Sequence, residues 1–121
     1  MEYRAMHPQF DATFEHYAEV PENIRTGLWN YFAYGLEPGS FLKAVIVNNY
    51  QMALIRADGT WTARGLKDLA RWLMHEAPNG SYGNLDAYDN WVLLTDEERR
   101  DIMIVKGLRP SVIDILKGAP A

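Results

Sequence analysis

Six prolines and nine glycines divide this 121-residue chain into short segments, and this constrains the fold more than any other feature. Proline cannot donate a helical hydrogen bond, and glycine readily adopts the left-handed backbone that ends helices. Between these residues, the apolar side chains recur three and four positions apart, as in an amphipathic helix. The clearest such stripe ends just before Pro78 and contains Leu66, Leu69, Ala70, Leu73 and Ala77. The sequence therefore predicts an all-α domain of five to seven short helices.

Capping residues indicate where several of these helices begin and end. Pro21 suits the first turn of a helix, and Gly35 is its predicted stop. Asn84 is a predicted N-cap of a brief helix. Thr95 followed by Glu98 matches a capping box, which predicts a helix that starts there.

The segment 40–57 fits two kinds of secondary structure. At the helical period, one face carries Leu42, Val45, Ile46, Asn49 and Ala53. The alternative is an α+β fold with a hairpin over 44–55 that turns at Asn48-Asn49, and the β-branched run 45–47 supports it. An isolated two-stranded hairpin is only marginally stable, and the flanking segments are helical. One helix over 40–57 is therefore the preferred interpretation.

In that helix, Asn49 lies on the apolar face between Ile46 and Ala53. A buried amide without a partner costs about 1–3 kcal/mol, so its side chain should bond to exposed backbone nearby. The nearest such backbone is the loop 35–39. Asn49 is thus predicted to be a polar clip between the helix and this loop.

Composition excludes several classes of protein. The chain has no cysteine, so it has no disulfide, thiolate nucleophile or cysteine-based zinc site. It has no apolar run long enough to cross a bilayer, and its start lacks the basic and apolar parts of an export signal. The net charge of −4 gives no overall attraction to phosphate. We find no repeat and no long linker, and we expect a single cytoplasmic domain over 1–121 that does not associate with membranes.

Catalytic motifs are absent from the sequence. The three histidines, His7, His16 and His75, lie in different segments, and none has metal-binding spacing. Asp86 and Asp89 are three residues apart, but this spacing is more typical of a solvated acidic helix face than of a cation site. The chain contains no phosphate-binding glycine loop and no nucleophile elbow. We therefore expect no catalytic residues, metal or cofactor, and a protein that is not an enzyme.

Residues 95–118 resemble the helix-turn-helix of DNA-binding repressors, with Gly107 in the turn. Two positions depart from that pattern. Met103 stands where such motifs place alanine, and Asp114 would repel phosphate. Two helices that meet only for packing are the preferred interpretation. If DNA is bound, the predicted contacts are Arg99, Arg100, Arg109, Ser111 and Lys117.

Aromatic side chains are the better candidates for a binding surface, because they bury a large area with little loss of rotamer freedom. The chain has 4 Trp, 7 Tyr and 4 Phe. Trp29 and Tyr34 fall to the sides of the apolar stripe in their helix, where a partner or another helix must cover them. The predicted protein-binding residues are Trp29, Tyr34, Tyr50 and Trp61.

The central region has a recognisable pattern. It contains the run PENIRTGL at 21–28, Gly35, the run PGSFLKAV at 38–45, Asn48-Asn49 and Arg56-Ala57-Asp58. This pattern resembles a group of small phage and prophage proteins, in which a helix leads to a Gly–Pro-Gly loop and then to a "FLxAVLxND" helix. The match covers roughly 21–91, so 1–20 would be an N-terminal extension and 94–121 an appended helical pair. This chain has Asn48-Asn49 where the group tends to have Asn-Asp.

The resemblance implies a virus-encoded accessory protein that acts in the cytoplasm of a bacterial host. Such proteins commonly act by occupying a host protein, for example a defence factor or a nucleic-acid-processing factor. We therefore expect a non-catalytic interaction protein that binds a host protein, and the sequence also allows a homodimer. The first alternative is a phage transcriptional regulator that binds DNA through 95–118, and the second is an enzyme of unrecognised type.

Overall fold

The structure is a computed structural model, and it describes residues 4–59, 61–111 and 116. Those residues contain seven helices and no strand. The helices are α1 (Pro8–Ala12), α2 (Glu22–Tyr34), α3 (Ser40–Ile46), α4 (Tyr50–Arg56), α5 (Ala63–Glu76), α6 (Leu85–Leu93) and α7 (Asp96–Val105). The predicted all-α fold is confirmed, and the alternative hairpin over 44–55 is wrong. The second helix of the helix-turn-helix-like segment 95–118 lies almost entirely outside the described residues.

Local capping determines several helix boundaries as predicted. Gly35 ends α2 in the left-handed conformation, with φ of 65°, and its N–H donates to the carbonyl of Tyr31 at 2.9 Å. At the start of α7, the Thr95 N–H donates to the Glu98 carboxylate at 2.9 Å, and the Glu98 N–H donates to the Thr95 hydroxyl at 3.1 Å. Asn84 accepts from the Ala87 N–H at 2.7 Å and so caps α6. These ends depend only on residues close in sequence.

The predicted single helix over 40–57 is wrong, because the segment forms two helices, α3 and α4. The chain breaks over 47–49, where Asn48 adopts a positive φ of 61°. Asparagine tolerates this left-handed conformation better than most residues do. The Asn49 N–H then donates to the Ala44 carbonyl at 2.8 Å, which closes the end of α3.

The break also changes the role of Asn49. Its side chain is exposed and accepts from the Met52 N–H at 3.1 Å, so it caps α4. The predicted clip to the loop 35–39 is therefore wrong. The buried amide that does join two segments is Asn30, whose side chain accepts from the Arg4 N–H at 2.7 Å and donates to the Arg4 carbonyl at 2.8 Å.

The core is built around α2, which buries seven consecutive residues from Gly27 to Ala33. Phe32 lies at its centre, with ring-to-ring distances of 6.4 Å to Phe10, 5.8 Å to Trp72 and 6.3 Å to Trp91. These three rings come from α1, α5 and α6. Helix α7 also packs on α2 and contributes the buried Met103. We call this cluster the α2 core.

The segments predicted as additions to 21–91 supply part of this same core. Before residue 21, Phe10 and Phe14 are buried, and Phe14 stacks on Trp72 with ring centres 4.6 Å apart. After residue 94, Met103 and Leu108 are buried in the same cluster. The described parts of both segments therefore share one hydrophobic core with 21–91.

Candidate functional site

An apolar groove with a volume of about 530 Å³ lies between α4 and α5. Leu69 and Leu73, both buried in α5, form its floor. One wall belongs to α4 and contains Tyr50, Ala53 and Leu54. The other wall belongs to α5 and contains Leu66, Ala70 and Met74. We call this feature the α4–α5 groove, and its volume is typical of binding sites, which span about 300–1,000 Å³.

The groove exists because α4 is not packed into the core. None of its seven residues is buried, and its main neighbour is α3. Tyr50 is 72% exposed, Leu54 48% and Ile55 73%. Met74, across the groove on α5, is 69% exposed. A soluble monomer rarely leaves neighbouring large apolar side chains in water without a binding role.

The position of α4 is fixed from its N-terminal end. The break over 47–49 turns the chain, and the Asn49 cap holds the first turn of α4. On the other side of the break, the Gly83 N–H donates to the Ile46 carbonyl at 2.8 Å. This bond ties the end of α3 to the loop that follows α5. Backbone hydrogen bonds, rather than packing of the α4 side chains, therefore define this end of the groove.

The surface beside the groove is basic. The exposed residues of α5 are all basic or apolar: Ala63, Arg64, Lys67, Ala70, Arg71, Met74 and His75. Of its two acidic residues, Asp68 is buried and pairs with Arg71 at 3.4 Å, and Glu76 is half-buried at the last position of the helix. From the start of α4 at residue 50 to the end of α5 at residue 76, the sequence has four Lys or Arg and three Asp or Glu, and of these acids only Asp58, between the two helices, is exposed. The groove thus combines apolar walls with a positively charged edge.

The structure does not bring the four predicted aromatic anchors together. Tyr50 lies in the groove wall and is exposed. Trp61 is half-buried against Phe41, with ring centres 4.9 Å apart. Tyr34 is also half-buried, and the Arg4 guanidinium lies 4.6 Å from its ring centre.

Trp29 cannot be a surface anchor in this fold, because other side chains cover it. It is 3% exposed, and the residues around its ring are His7, Phe10, Tyr34 and Arg109. His7 and Phe10 come from the N-terminal segment, which folds over α2. The helical pattern of α2 alone does not predict that the N-terminal segment buries Trp29.

Arg99, a predicted DNA contact, is buried and serves the protein interior instead. Its guanidinium donates to the carbonyls of Trp91 at 3.1 Å and Val92 at 3.3 Å and to that of Leu94, and it pairs with Asp96. The last carbonyls of any helix lack partners within the helix, and Arg99 supplies partners to those of α6. Its guanidinium is therefore not available to a phosphate.

Of the other predicted DNA contacts, the structure describes Arg100, Arg109 and Ser111. Arg100 is exposed, Ser111 is half-buried, and Lys117 lies outside the described residues. The Arg109 guanidinium lies over the Trp29 ring at 5.4 Å from its centre. Burial, together with the nearby charge of Arg100, lowers the pKa of Arg109.

Polar groups that often serve catalysis have structural roles here. The His7 ring accepts from the Gln9 N–H at 3.0 Å and caps α1. The buried Tyr31 hydroxyl donates to the Ser81 carbonyl at 2.7 Å, and burial raises its pKa far above the usual range. The described part of the chain has no cluster of three or more His, Cys, Asp or Glu that could hold a metal ion. Within the same part, no helix has both the length and the apolar character needed to cross a bilayer.

Several residues of the groove were not predicted as site residues, among them Leu54, Leu66 and Met74. The stripe on α5 was expected to face a core, but only some of its members are buried, and Leu66 and Ala70 face the groove. One signal was present in the sequence of α4, YQMALIR. Its large apolar residues at 50, 52, 54 and 55 cannot share one helix face, so a single neighbour cannot cover them all.

Comparisons of the chain with protein-family models, with curated proteins and with solved structures gave no significant match.

Proposed function

We propose that this protein is a non-catalytic binding module that holds an apolar segment of a partner protein in the α4–α5 groove. One observation carries the proposal. Helix α4 has four large apolar side chains, yet none of its residues is buried. Burying apolar surface stabilises a complex by roughly 25 cal/mol per Å², so these side chains favour a partner that removes them from water.

The partner we propose is a protein of a bacterial host, and the setting is phage infection. The support for this setting is the resemblance of 21–91 to small phage and prophage proteins. Accessory proteins of this kind act by occupying a host factor, such as a defence protein or a nucleic-acid-processing protein. A groove that binds without catalysing a reaction suits that mode of action.

Site-specific photo-crosslinking in living bacteria tests the proposal. A photoreactive amino acid at Leu54 is expected to yield one discrete adduct with another protein. The matched control position is Leu93, an exposed leucine on α6 outside the groove. The adduct should disappear when Ala70→Glu places a charge in the opposite wall, while circular dichroism shows that the helical content is retained. Identical adducts from both positions, or none from Leu54, would contradict the proposed function.

A further inference from the structure

We propose that the segment held in the α4–α5 groove is an amphipathic helix whose apolar face is flanked by acidic side chains. This inference rests on the proposed function and names the chemistry of the partner. Its two parts, the helix and the acidic flank, come from two separate features of the groove.

The form of the partner follows from its backbone. A segment that enters an apolar groove must have its own N–H and C=O groups satisfied, because burying them unpaired is costly. An extended peptide satisfies these groups by adding to a strand edge, and the described residues contain no strand. A helix satisfies them internally and inserts apolar side chains at positions i, i+3 or i+4, and i+7. Walls made of Leu54, Leu66 and Met74 suit such side chains.

The charge of the partner follows from the basic edge of the groove. Lys67 lines the groove itself. Arg64 and Arg71 lie three residues before it and four residues after it, and this spacing places all three on one side of α5. All three are exposed, and only Arg71 of the three is paired with Asp68. The exposed charged side chains of α4 and α5 are all basic, whereas Asp68 is buried, Glu76 is half-buried and the exposed Asp58 lies in the loop between the helices, so carboxylates on the partner would meet positive charge along this edge of α5.

Three designed helical peptides test this inference by fluorescence anisotropy. They share one leucine face and differ only in the flanking residues, which are Glu, Gln or Lys. Exposed ion pairs are individually weak, and about three of them amount to roughly tenfold in affinity. We expect the Glu peptide to bind about tenfold more tightly than the Gln peptide and the Lys peptide to bind least. The preference should shrink at high salt.

Variants locate the binding site. Leu54→Glu should abolish binding of all three peptides, and it leaves the α2 core untouched because α4 buries nothing. Arg64→Glu combined with Lys67→Glu should reverse the preference in favour of the Lys peptide. The matched controls are Leu93→Glu and Arg100→Glu, which change an exposed leucine and an exposed arginine elsewhere. Both should bind the Glu peptide as the unaltered protein does.

Other outcomes overturn the inference in distinguishable ways. Equal binding of the three peptides, lost in Leu54→Glu, rejects the acidic flank but leaves the proposed function standing. Failure of all three peptides, with binding to phosphatidylglycerol vesicles, assigns the basic apolar surface to a lipid instead. A dimer in sedimentation that Leu54→Glu dissociates assigns the groove to a second copy. If neither the peptides nor the vesicles bind, the proposed helical form of the partner is also rejected. The crosslinking at Leu54 tests the proposed function separately.

Discussion

Helices α2 and α4 are both rich in apolar residues, yet the protein uses them in opposite ways. Helix α2 buries seven consecutive residues, including the amide of Asn30, because α1, α5, α6 and α7 surround it. Helix α4 buries none and has α3 as its main neighbour. Hydrophobic composition therefore does not distinguish residues that fold this chain from residues that we propose bind a partner. The number of covering neighbours distinguishes them.

This contrast makes mutations in the α2 core far more costly than mutations in α4. The largest effect is expected for Trp72→Ala. Trp72 is fully buried, stacks on Phe14 at 4.6 Å, and donates from its ring nitrogen to the Thr13 hydroxyl at 2.9 Å. Its removal should lower the free energy of unfolding by about 3–5 kcal/mol. Urea unfolding followed by circular dichroism measures this loss, and a cost under about 1 kcal/mol would mean that the core is not arranged as described.

The second prediction concerns the buried arginine that joins α6 to α7. Arg99→Met keeps much of the side-chain volume but removes the guanidinium that donates to the Leu94 carbonyl and to the Trp91 carbonyl, which retains its bond from the Leu94 N–H. We expect a loss of about 2–3 kcal/mol in unfolding free energy, measured in urea, and little rescue by Arg99→Lys, which lacks the planar fork. Arg100→Met, at the exposed neighbouring position, is the control and should cost less than about 0.5 kcal/mol. Equal effects of the two methionine variants would contradict the buried role.

Gly35→Ala tests the same region from α2. Gly35 has a φ of 65°, and an added Cβ would lie 2.8 Å from a guanidinium nitrogen of Arg99. The left-handed conformation alone costs alanine about 1–2 kcal/mol, and Arg99 must also shift. The matched control is Gly39→Ala, since Gly39 has an ordinary φ of −60° and no atom within 4 Å of an added Cβ. A lower melting temperature for Gly35→Ala than for Gly39→Ala would support this geometry, and equal melting temperatures would contradict it.

These residues also show how far sequence reasoning reaches. The ends of α2 and α7 follow from Gly35, Thr95 and Glu98, because capping involves residues only a few positions apart. The burial of Arg99 depends on carbonyls of another helix, and the burial of Trp29 depends on His7 and Phe10 from a distant segment. Periodicity within one helix contains no information about either.

The sequence did not predict the groove, and the reason is related. The helical period runs through 40–57 without interruption, so it predicted one helix, whereas Asn48 adopts a left-handed conformation that divides the segment. The Asn48-Asn49 pair was visible and was interpreted as a hairpin turn or as a position on a helix face. Because the segment divides at Asn48, α4 points away from the core and its apolar side chains stay exposed. The four predicted aromatic anchors follow from residue type alone, and only Tyr50 among them lies in the groove.

Asn49→Ala sharpens the comparison between the two helices. Losing this cap should destabilise α4 by about 1 kcal/mol. Because α4 buries nothing, this cost should appear as local fraying and not as global unfolding. Hydrogen exchange is expected to quicken at the amides of α4, while the slowest amides of α2 remain unchanged. Faster exchange throughout α2 would show that the two helices unfold as one unit.

The smallest effect on stability is expected where the proposed binding site is most exposed. Leu54 is 48% exposed on a helix without buried residues, so Leu54→Ser should change the unfolding free energy by less than about 0.5 kcal/mol. The same change in the core, Leu28→Ser, removes a fully buried side chain and should cost several kcal/mol, on the order of 3–5. Urea titrations of the two variants compare the same substitution at an exposed position and at a buried position. A loss above about 2 kcal/mol at Leu54 would place α4 in the core after all, and it would remove the reason to expect a partner there.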